Sequence, residues 1–306
     1  MNDMSQLREK LREILPAFAI REEEPLARHT SFRIGGPAQL MVFPRNSQEL
    51  AAILRAAQQC GVKPWILGAG TNVLAPDEGI RGLVVCLRDT FMGLELIEPN
   101  IVEAKAGMSL AQTAMFAARN GLSGMESLHG IPGTVGGGVY MNAGAYGGEI
   151  KDIALRTEYM HLNGETQWFE GEMQGFAYRK SAFQNLEGVI VRTQFGLQKG
   201  EEREIRSKIH ELNEKRRASQ PLEKPSAGST FQRPKGYYAG TLIDEAGLKG
   251  LRVGDAQVSE KHAGFIVNQG KATAADVLEL VRQVQARVYA RSGVMLEPEV
   301  RLWEQK

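Results

Sequence analysis

The sequence GAGTNVL, at residues 68–74, follows a short predicted strand and consists mostly of small residues. Successive backbone N–H groups in a glycine turn of this kind form a nest that binds anions, and Thr71 and Asn72 add hydrogen-bonding groups with little bulk. A longer stretch of the same character, GIPGTVGGGVYMNAGAYGG, occupies residues 130–148. Two such loops favour a long ligand with two phosphates over the alternative that both are only tight turns. We expect residues 121–148 to lack regular secondary structure, and a loop of that length inside a compact domain is normally functional.

A glycine loop after a strand is also typical of dinucleotide-binding folds. Asp89 lies about 20 residues further on, where such a fold places its ribose-binding acid. Two features argue against this alternative. Val73 occupies the position of the third glycine, and the connection APDEGIRG, at residues 75–82, has no room for the crossover helix that joins parallel strands. We therefore expect a phosphate-binding site on a different fold.

The composition excludes several classes of protein. The chain has 306 residues, and its 37 basic and 36 acidic side chains leave a net charge of +1, which gives no footprint for nucleic-acid binding. Its two cysteines, Cys60 and Cys86, form no CxxC pair, and the histidines show no metal-ligand spacing. No apolar run resembles a signal peptide or a membrane span. We expect a cytoplasmic protein with no membrane contact and no obligatory protein partner.

Apolar periodicity and capping residues predict five helices. They cover residues 5–18, 46–61, 109–120 and 201–218, and a last helix runs from the cap Thr273 to Gly293. Strands are predicted to dominate residues 151–198, two further strands surround the Pro-Asn turn of LELIEPNIVEAKAG, and VMLEPEVRLW is predicted to close the chain as a strand. This mixture indicates an α+β fold, with a division near residues 200–220.

Seven short motifs occur in a characteristic order along the chain. They are TSFRIGG at 30–36, GAGTNVL at 68–74, GIPGTVGG at 130–137, NAGAYGG at 142–148, YRKS at 178–181, PSAGSTFQRP at 225–234 and LEPEV at 296–300. Together they resemble the UDP-N-acetylenolpyruvoylglucosamine reductase family, and the likeness runs from about residue 28 to residue 303. The sequences AGSTFQRP and AGTLIDEAGLKG are typical of the shorter, type II form of that family.

The resemblance implies a fold and a domain plan. The chain would be α+β, with a two-subdomain FAD-binding fold of the vanillyl-alcohol-oxidase (PCMH) type and a C-terminal α+β substrate domain. The FAD-binding region would cover residues 1–200, with subdomains at about 20–88 and 89–200. The substrate domain with its connecting helix would cover residues 201–292, and residues 293–306 would form a strand that returns towards the N-terminal region.

The resemblance also implies a reaction. Enzymes of this family reduce UDP-N-acetylglucosamine enolpyruvate to UDP-N-acetylmuramate for peptidoglycan, with NADPH as the hydride donor and non-covalently bound FAD as the cofactor. The FAD contacts in the two glycine loops would be Gly68, Ala69, Gly70, Thr71, Asn72, Val73, Leu74, Gly133, Thr134, Gly136, Gly137 and Asn142. Arg33 and Arg216 would meet the flavin nucleotide, because a guanidinium can bond two phosphate oxygens at once.

Three residues match the catalytic positions of the family. Ser229 would donate a proton to the substrate, Arg179 would hold the substrate carboxylate, and Glu299 would assist at the same centre. The residues by themselves also permit non-catalytic roles. Arg179 could be a surface arginine, and Ser229 could be a turn residue bonded to its own backbone. Glu297 and Glu299 share one face of a predicted strand, so spacing does not choose between them, whereas the resemblance selects Glu299.

An acidic UDP-sugar requires cations, and Arg233, Lys249, Lys261 and His262 are predicted to meet its diphosphate. His129 lies just before GIPG, near the expected flavin, where we favour a packing role over the covalent attachment known from other flavoproteins of this fold. Two other functions stay open as alternatives. One is an oxidase of the same flavin fold acting on a sugar alcohol or lactone, and the other is a nucleotide-sugar binding module without redox chemistry.

Overall fold

A computed structural model gives the fold of residues 3–304. Within these residues the chain divides into two compact units. The first unit comprises the described residues up to Glu23, Gln39–Ala69 and Gly82–Glu214. The second comprises Glu24–Ala38, Gly70–Arg81 and the described residues from Lys215 onwards. None of the helices in the described part of the chain has the length and apolar character needed to cross a bilayer.

Residues 3–304 contain both helices and strands, and many of the strands are short. The α-helices are α1 (Asp3–Ile14), α2 (Ser47–Gln59), α3 (Leu110–Arg119), α4 (Glu126–His129), α5 (Val135–Tyr140), α6 (Glu202–Ser219), α7 (Ala239–Glu245) and α8 (Ala274–Ser292). The strands are β1 (Ile20–Pro25), β2 (Pro37–Val42), β3 (Trp65–Leu67), β4 (Val73–Leu74), β5 (Ile80–Cys86), β6 (Leu94–Glu98), β7 (Ile101–Lys105), β8 (Leu122–Ser123), β9 (Gly144–Ala145), β10 (Gly148–Glu149), β11 (Ala154–His161), β12 (Thr166–Glu170), β13 (Gly188–Gly196), β14 (Gln198–Lys199), β15 (Ser226–Ser229), β16 (Arg252–Val253), β17 (Ala256–Val258), β18 (Phe265–Asn268) and β19 (Arg301–Leu302).

The five predicted helices are confirmed as α1, α2, α3, α6 and α8. The predicted caps are present, since Asn46 accepts the Glu49 N–H at 2.9 Å and Thr273 forms a capping box with Asp276. Helix α1 ends at Ile14 and not at residue 18 as predicted. Pro16 is the reason, because proline has no N–H to donate and disfavours helical backbone in the residue before it.

The first unit contains an antiparallel five-stranded sheet in the order β12-β11-β13-β7-β6. Strands β6 and β7 are the hairpin predicted from LELIEPNIVEAKAG, and β11, β12 and β13 confirm the strands predicted for residues 151–198. Alternate side chains of β7 are buried, as the pleat of a half-covered sheet requires, whereas most side chains of β13 are buried. They share one apolar core with α2 and α3, which includes Leu50, Ile53, Leu54, Val102, Ala104, Ala114, Val191 and Phe195.

A second sheet has the order β1-β2-β5-β3, and its strands β3 and β5 are parallel. Trp65 lies opposite Val84, and Leu67 lies opposite Cys86. The expectation that a connection without a helix excludes parallel pairing is therefore wrong. Residues 68–79 make the crossover without a helix, and they number roughly the dozen residues that a parallel connection needs.

The expectation that residues 121–148 lack regular structure is also wrong. The helices α4 and α5 and the short strands β8, β9 and β10 lie there. Helices of 4 and 6 residues are too short to show helical periodicity in a sequence. Helix α5 has the sequence VGGGVY, in which each glycine disfavours a helix by ~1 kcal/mol relative to alanine. The sequence of α5 therefore gives little indication of a helix, and the helix depends on tertiary contacts.

The second unit contains an antiparallel sheet in the order β15-β18-β17-β16, with α7 and α8 in the same apolar core. Strand β19 runs parallel to β4, with Arg301 opposite Val73. The closing strand predicted over VMLEPEVRLW is regular only at β19. Pro298 explains the difference, since it cannot donate a ladder hydrogen bond and forms only an isolated bridge with Phe231.

Candidate functional site

In the first unit, the start of the loop GAGTNVL lies against the residues that open α5. A Cβ atom at Gly68 would lie 2.4 Å from Thr134 Oγ1, so only glycine permits this approach. Thr134 is buried, and its Oγ1 accepts the N–H of Gly137 at 3.3 Å as the N-cap of α5. The two predicted glycine loops therefore meet at Thr134 within this unit.

The segment around Thr134 is fixed to the chain before α3. Leu110 donates its N–H to Gly133 O at 3.1 Å, Val135 donates to Met108 O at 2.7 Å, and Gly136 donates to Ala106 O at 2.9 Å. Gly136 also has no room for a side chain, because a Cβ there would lie 2.9 Å from Ala106 Cβ. Gly137 differs from its neighbours in that it is exposed and a Cβ there would meet only Thr134 Oγ1, at 3.5 Å.

Asn142, in the second glycine loop, has a side chain that is bonded within the protein. It has no exposed surface, and its Nδ2 donates to Glu149 Oε2 and to Ala177 O, both at 2.9 Å. Its Oδ1 accepts the N–H of Lys151 at 2.9 Å. Both polar atoms of its carboxamide are therefore bonded inside the protein, and the contact of Asn142 with FAD stays a prediction that its backbone would have to meet. Its left-handed backbone, with φ 42°, is a conformation that asparagine tolerates better than most residues.

Arg179 lies at the tip of a tight turn in the first unit. Ala177 and Lys180 exchange two backbone hydrogen bonds of 3.0 Å, and Arg179 between them has a left-handed φ of 54°. Its Nη2 donates to Gly144 O at 3.2 Å, and its guanidinium lies 5.1 Å from the centre of the Tyr178 ring. A strained backbone at a non-glycine residue is frequent at functional sites. The turn, the hydrogen bond to Gly144 O and the contact with the Tyr178 ring therefore fix the position of Arg179, unlike that of a mobile surface arginine.

Glu149 is the carboxylate near this turn. Its pKa is lowered, first by the Lys151 ammonium that it binds at 2.8 Å, then by the Asn142 carboxamide, with a smaller contribution from the charge of Arg179. Glu149 is therefore ionised at neutral pH.

In the second unit, the rest of the loop GAGTNVL joins the closing segment of the chain. Gly70 has φ 62°, and a Cβ there would lie 2.2 Å from His29 O, so glycine is required. Asn72 Nδ2 donates to Glu299 O at 3.2 Å, and Asn72 O accepts the N–H of Arg301 at 3.0 Å. Val73 and Leu74 then form β4 against β19.

Ser229 and Glu299 lie on adjoining backbone segments of this unit. The N–H of Glu299 donates to Thr230 O, and the N–H of Gln232 donates to Glu297 O, both at 2.8 Å. These bonds flank the bridge between Phe231 and Pro298. The structure therefore brings the two predicted catalytic residues together with Asn72, although more than 150 residues separate Asn72 from Ser229.

The hydroxyls of PSAGSTF have different surroundings. Thr230 is buried, and its Oγ1 accepts the N–H of Ile266 at 3.1 Å. Ser229 is exposed, and among residues 3–304 its Oγ makes no hydrogen bond with the protein. Gly228, with φ 76°, makes the turn that separates Ser229 from the buried Ala227. Glu299 is half-buried and Glu297 is exposed.

The motif TSFRIGG is tied to the same region. Ser31 Oγ donates to Ser226 O at 2.6 Å, and Asn268 Nδ2 donates to Phe32 O at 3.0 Å. Arg33 follows with a left-handed φ of 56° and an exposed side chain. Arg216 is buried in the last turn of α6. Their contacts with a flavin stay predictions.

The four residues predicted to bind a diphosphate have different partners in the structure. The Arg233 guanidinium lies 3.9 Å from the centre of the Tyr238 ring, Lys249 Nζ pairs with Asp244 at 2.6 Å, and Lys261 Nζ donates to Arg217 O at 2.5 Å. His262 Nδ1 accepts the N–H of Gly264 at 3.1 Å. Burial, followed by the charge of Lys249, lowers the pKa of His262, so its imidazole is neutral at pH 7 and offers a hydrogen bond and no charge.

Sequence reasoning missed two polar side chains of the first unit. Asn213 Nδ2 bonds His129 Nδ1 at 3.0 Å, which gives this histidine a structural partner. Gln184 Nε2 donates both to Tyr140 O at 2.9 Å and to Arg179 O at 3.0 Å. Glutamine has no sequence signature for such a role, since its partners are 44 and 5 residues away.

Comparison with known proteins identifies the family. An FAD-binding domain family matches residues 38–170, and the UDP-N-acetylenolpyruvoylglucosamine reductase C-terminal domain matches residues 220–303. The UDP-N-acetylenolpyruvoylglucosamine reductase of Caldanaerobacter subterraneus subsp. tengcongensis is 44% identical over 97% of this chain and 98% of its own. The chain belongs to the UDP-N-acetylenolpyruvoylglucosamine reductase family. The enzyme of that name from Lachnoclostridium phytofermentans is also similar, with 45% identity over 97% of both chains.

Solved structures support both the family assignment and the predicted fold. The crystal structure of UDP-N-acetylenolpyruvylglucosamine reductase from Thermus caldophilus matches with a TM-score of 0.81 and 39% identity, over 93% of this chain and 100% of that one. A 4-ethylphenol oxidase from Gulosibacter chungangensis matches with a TM-score of 0.50 and 15% identity, over 64% of this chain and 43% of that one, and shows the fold alone. The predicted α+β class, with a flavin fold of the PCMH type and a C-terminal domain, is confirmed. As a member of the UDP-N-acetylenolpyruvoylglucosamine reductase family, the chain is an FAD-containing oxidoreductase.

The residues of the first unit fit such a cofactor. Gly68 and Gly137 both approach Thr134 Oγ1, and as glycines they have no side chain to cover the backbone there. Gly137 is exposed, and its position in the first turn of α5 adds the positive end of a short helix. This surface permits the close backbone approach that an extended diphosphate requires.

Proposed function

We propose that this enzyme reduces UDP-N-acetylglucosamine enolpyruvate to UDP-N-acetylmuramate, with NADPH as the hydride donor, in the synthesis of peptidoglycan precursors. The observation that carries the proposal is the pairing of the Ser229 and Glu299 segments, with the Ser229 hydroxyl exposed and unbonded within residues 3–304. A reductase needs one proton at this point besides a hydride, and an exposed hydroxyl whose proton is not donated to another protein group can supply it.

FAD, bound without a covalent link, supplies the hydride chemistry. We propose that the backbone of both glycine loops holds it, at Gly68, Ala69, Gly70, Thr71, Asn72, Val73, Leu74, Gly133, Thr134, Gly136 and Gly137. Arg33 and Arg216 would meet its nucleotide. Several of these residues would act through their backbone, since the Thr134 and Leu74 side chains are buried in the protein.

Replacing Gly137 with alanine tests whether the cofactor passes this backbone. The protein itself has room for the added methyl, and alanine favours the helix by ~1 kcal/mol over glycine. We expect the melting temperature to be unchanged or raised, while the affinity for FAD falls about 10-fold or more, as steric overlap of ~1–3 kcal/mol would produce. Titration of the apoprotein with FAD measures the affinity.

Gly270→Ala is the matched control, because Gly270 is also exposed and a Cβ there comes no closer than 3.4 Å to another atom. It is expected to change neither FAD affinity nor stability. A Gly137→Ala protein that binds FAD as tightly as the wild type would show that the cofactor does not approach Gly137.

Ser229 is proposed as the proton donor. Its Oγ gives a proton to the substrate carbon next to the carboxylate, while the hydride is added to the terminal carbon of the enolpyruvyl group. A serine is a weak acid in water, so the transfer requires a basic carbon and an aligned hydroxyl. Glu299 is proposed to assist at this centre.

Arg179 is proposed to bind the substrate carboxylate, on which negative charge develops during the reaction. Its fixed turn and its bond to Gly144 O hold the guanidinium before the substrate arrives. Preorganised donors of this kind stabilise a transition state more than donors that must first be oriented.

The substrate diphosphate is proposed to bind the cations Arg233, Lys249 and Lys261, with His262 as an additional neutral hydrogen-bonding group. Lys249 and Lys261 pair with Asp244 and Glu223 at the surface, and such ion pairs contribute only ~0–1 kcal/mol. A diphosphate would therefore displace them at little cost.

The visible spectrum of the purified enzyme tests the proposed function. We expect a yellow protein whose flavin absorbance is bleached by NADPH without oxygen and restored by UDP-N-acetylglucosamine enolpyruvate. A protein that takes up no FAD would end the proposal. Indifference to NADPH with rapid re-oxidation by oxygen would instead support an oxidase.

A further inference from the structure

The turn that carries Arg179 is attached to the C-terminal end of α5 through side chains. The last carbonyls of a helix lack partners within the helix. Here Tyr140 O accepts Ser181 Oγ at 2.8 Å and Gln184 Nε2 at 2.9 Å. Two residues just after Arg179 therefore cap the helix that begins beside Thr134.

Gln184 makes the second half of the attachment. Its Nε2 also donates to Arg179 O at 3.0 Å, so one carboxamide joins a helix end to the backbone of the arginine turn. The carboxamide is half-buried, and replacement by a group without N–H would leave these carbonyls with fewer donors. The opposite side of the turn is held by Asn142, whose Nδ2 donates to Ala177 O.

We propose that Gln184 is a positioning residue for Arg179, which fixes the arginine turn relative to the end of α5. The inference rests on the proposed role of Arg179 in binding the substrate carboxylate. Arg179 has a left-handed backbone that is unfavourable for a non-glycine residue and persists only when its surroundings determine it. Gln184 and Asn142 supply hydrogen bonds on both sides of it, and Gln184 bonds the arginine's own carbonyl.

Gln184→Met tests this role, since methionine has a similar length and no N–H donor. We expect FAD content and flavin reduction by NADPH to be unchanged. The limiting rate of flavin re-oxidation by the enolpyruvyl substrate is expected to fall about 10-fold or more, because a displacement of ~1 Å is enough to slow a reaction strongly. The apparent dissociation constant of the substrate should change less than this rate.

Two companions and one double variant complete the experiment. Gln58→Met, on the exposed face of α2, is the control and should behave as the wild type. Gln184→Asn keeps a carboxamide that is one methylene shorter and is expected to have an intermediate rate. In an Arg179→Met background, Gln184→Met should add no further loss, because residues that act through one another are not additive.

The outcomes separate the inference from the proposed function. An Arg179→Met enzyme with wild-type rates would remove Arg179 from the reaction, and the inference would fail with it. A slow Arg179→Met enzyme together with a wild-type rate for Gln184→Met would overturn the inference alone. Equal losses in both half-reactions, or full additivity in the double variant, would also overturn it, because either result indicates a general structural role.

Discussion

Replacing Ser229 with alanine is expected to leave flavin reduction by NADPH nearly intact and to slow reduction of the enolpyruvyl substrate by about 10²-fold or more, the usual contribution of a positioned proton donor. The physical reason is that only the second half-reaction consumes the proton. The side chain is exposed and its Oγ has no hydrogen bond within residues 3–304, so its loss leaves no buried group unsatisfied. Stopped-flow absorbance of the flavin measures the two half-reactions separately.

Ser226→Ala is the matched control for Ser229→Ala. Both serines belong to β15, and the bonds recorded for Ser226 use its backbone carbonyl and strand pairing. We expect this variant to retain both half-reactions. Equal losses in the two half-reactions of Ser229→Ala would mean that Ser229 shapes the turn and donates no proton.

Replacing Arg179 with methionine is expected to remove ~2.7–4 kcal/mol of transition-state stabilisation, or about 10²–10³-fold in the rate of substrate reduction, as for loss of one preorganised donor. Methionine and arginine are both unbranched at Cβ, so the strain of the left-handed backbone at φ 54° is similar in both proteins. Flavin reduction by NADPH should be unaffected. Single-turnover rates with a range of substrate concentrations distinguish loss of binding from loss of rate.

Lys180→Met serves as the control, since Lys180 is the exposed cation next to Arg179 and its recorded bonds are made by its backbone. Arg179→Lys keeps the charge and loses the two-pronged geometry, so an intermediate rate is expected. Unchanged substrate reduction in Arg179→Met would exclude Arg179 from the site.

Local patterns in the sequence were sufficient to predict most of the helices and strands. The caps Asn46 and Thr273 and their helices could be predicted because a cap and its partner lie only three residues apart. The parallel pairing of β3 and β5 could not be predicted in this way, since Trp65 and Val84 meet through a connection that has no helix. Helix α5 was not predicted because its glycines disfavour a helix. Hydrogen bonds to the carbonyls of Met108 and Ala106 hold its first residues.

The sequence also does not predict which partners the side chains of the candidate residues bond. Asn142 and Gln184 are both carboxamides, and nothing in their neighbours along the chain distinguishes a ligand contact from a structural bond. The fold buries Asn142 completely among Glu149, Lys151 and Ala177 and directs Gln184 to the carbonyl of Arg179. Roles of this kind depend on partners up to 44 residues away.

The sequence by itself determined the helices, their caps, the order of the seven motifs and hence the family and the set of candidate residues. These features depend on spacing within short stretches, which a sequence displays directly. Only the tertiary structure decided that Thr230 is bonded to Ile266 while Ser229 is exposed, and that Glu299 and Asn72 adjoin the serine segment. The reason is that hydrogen-bond partners and burial are set by segments that are distant in sequence and meet only when the chain folds.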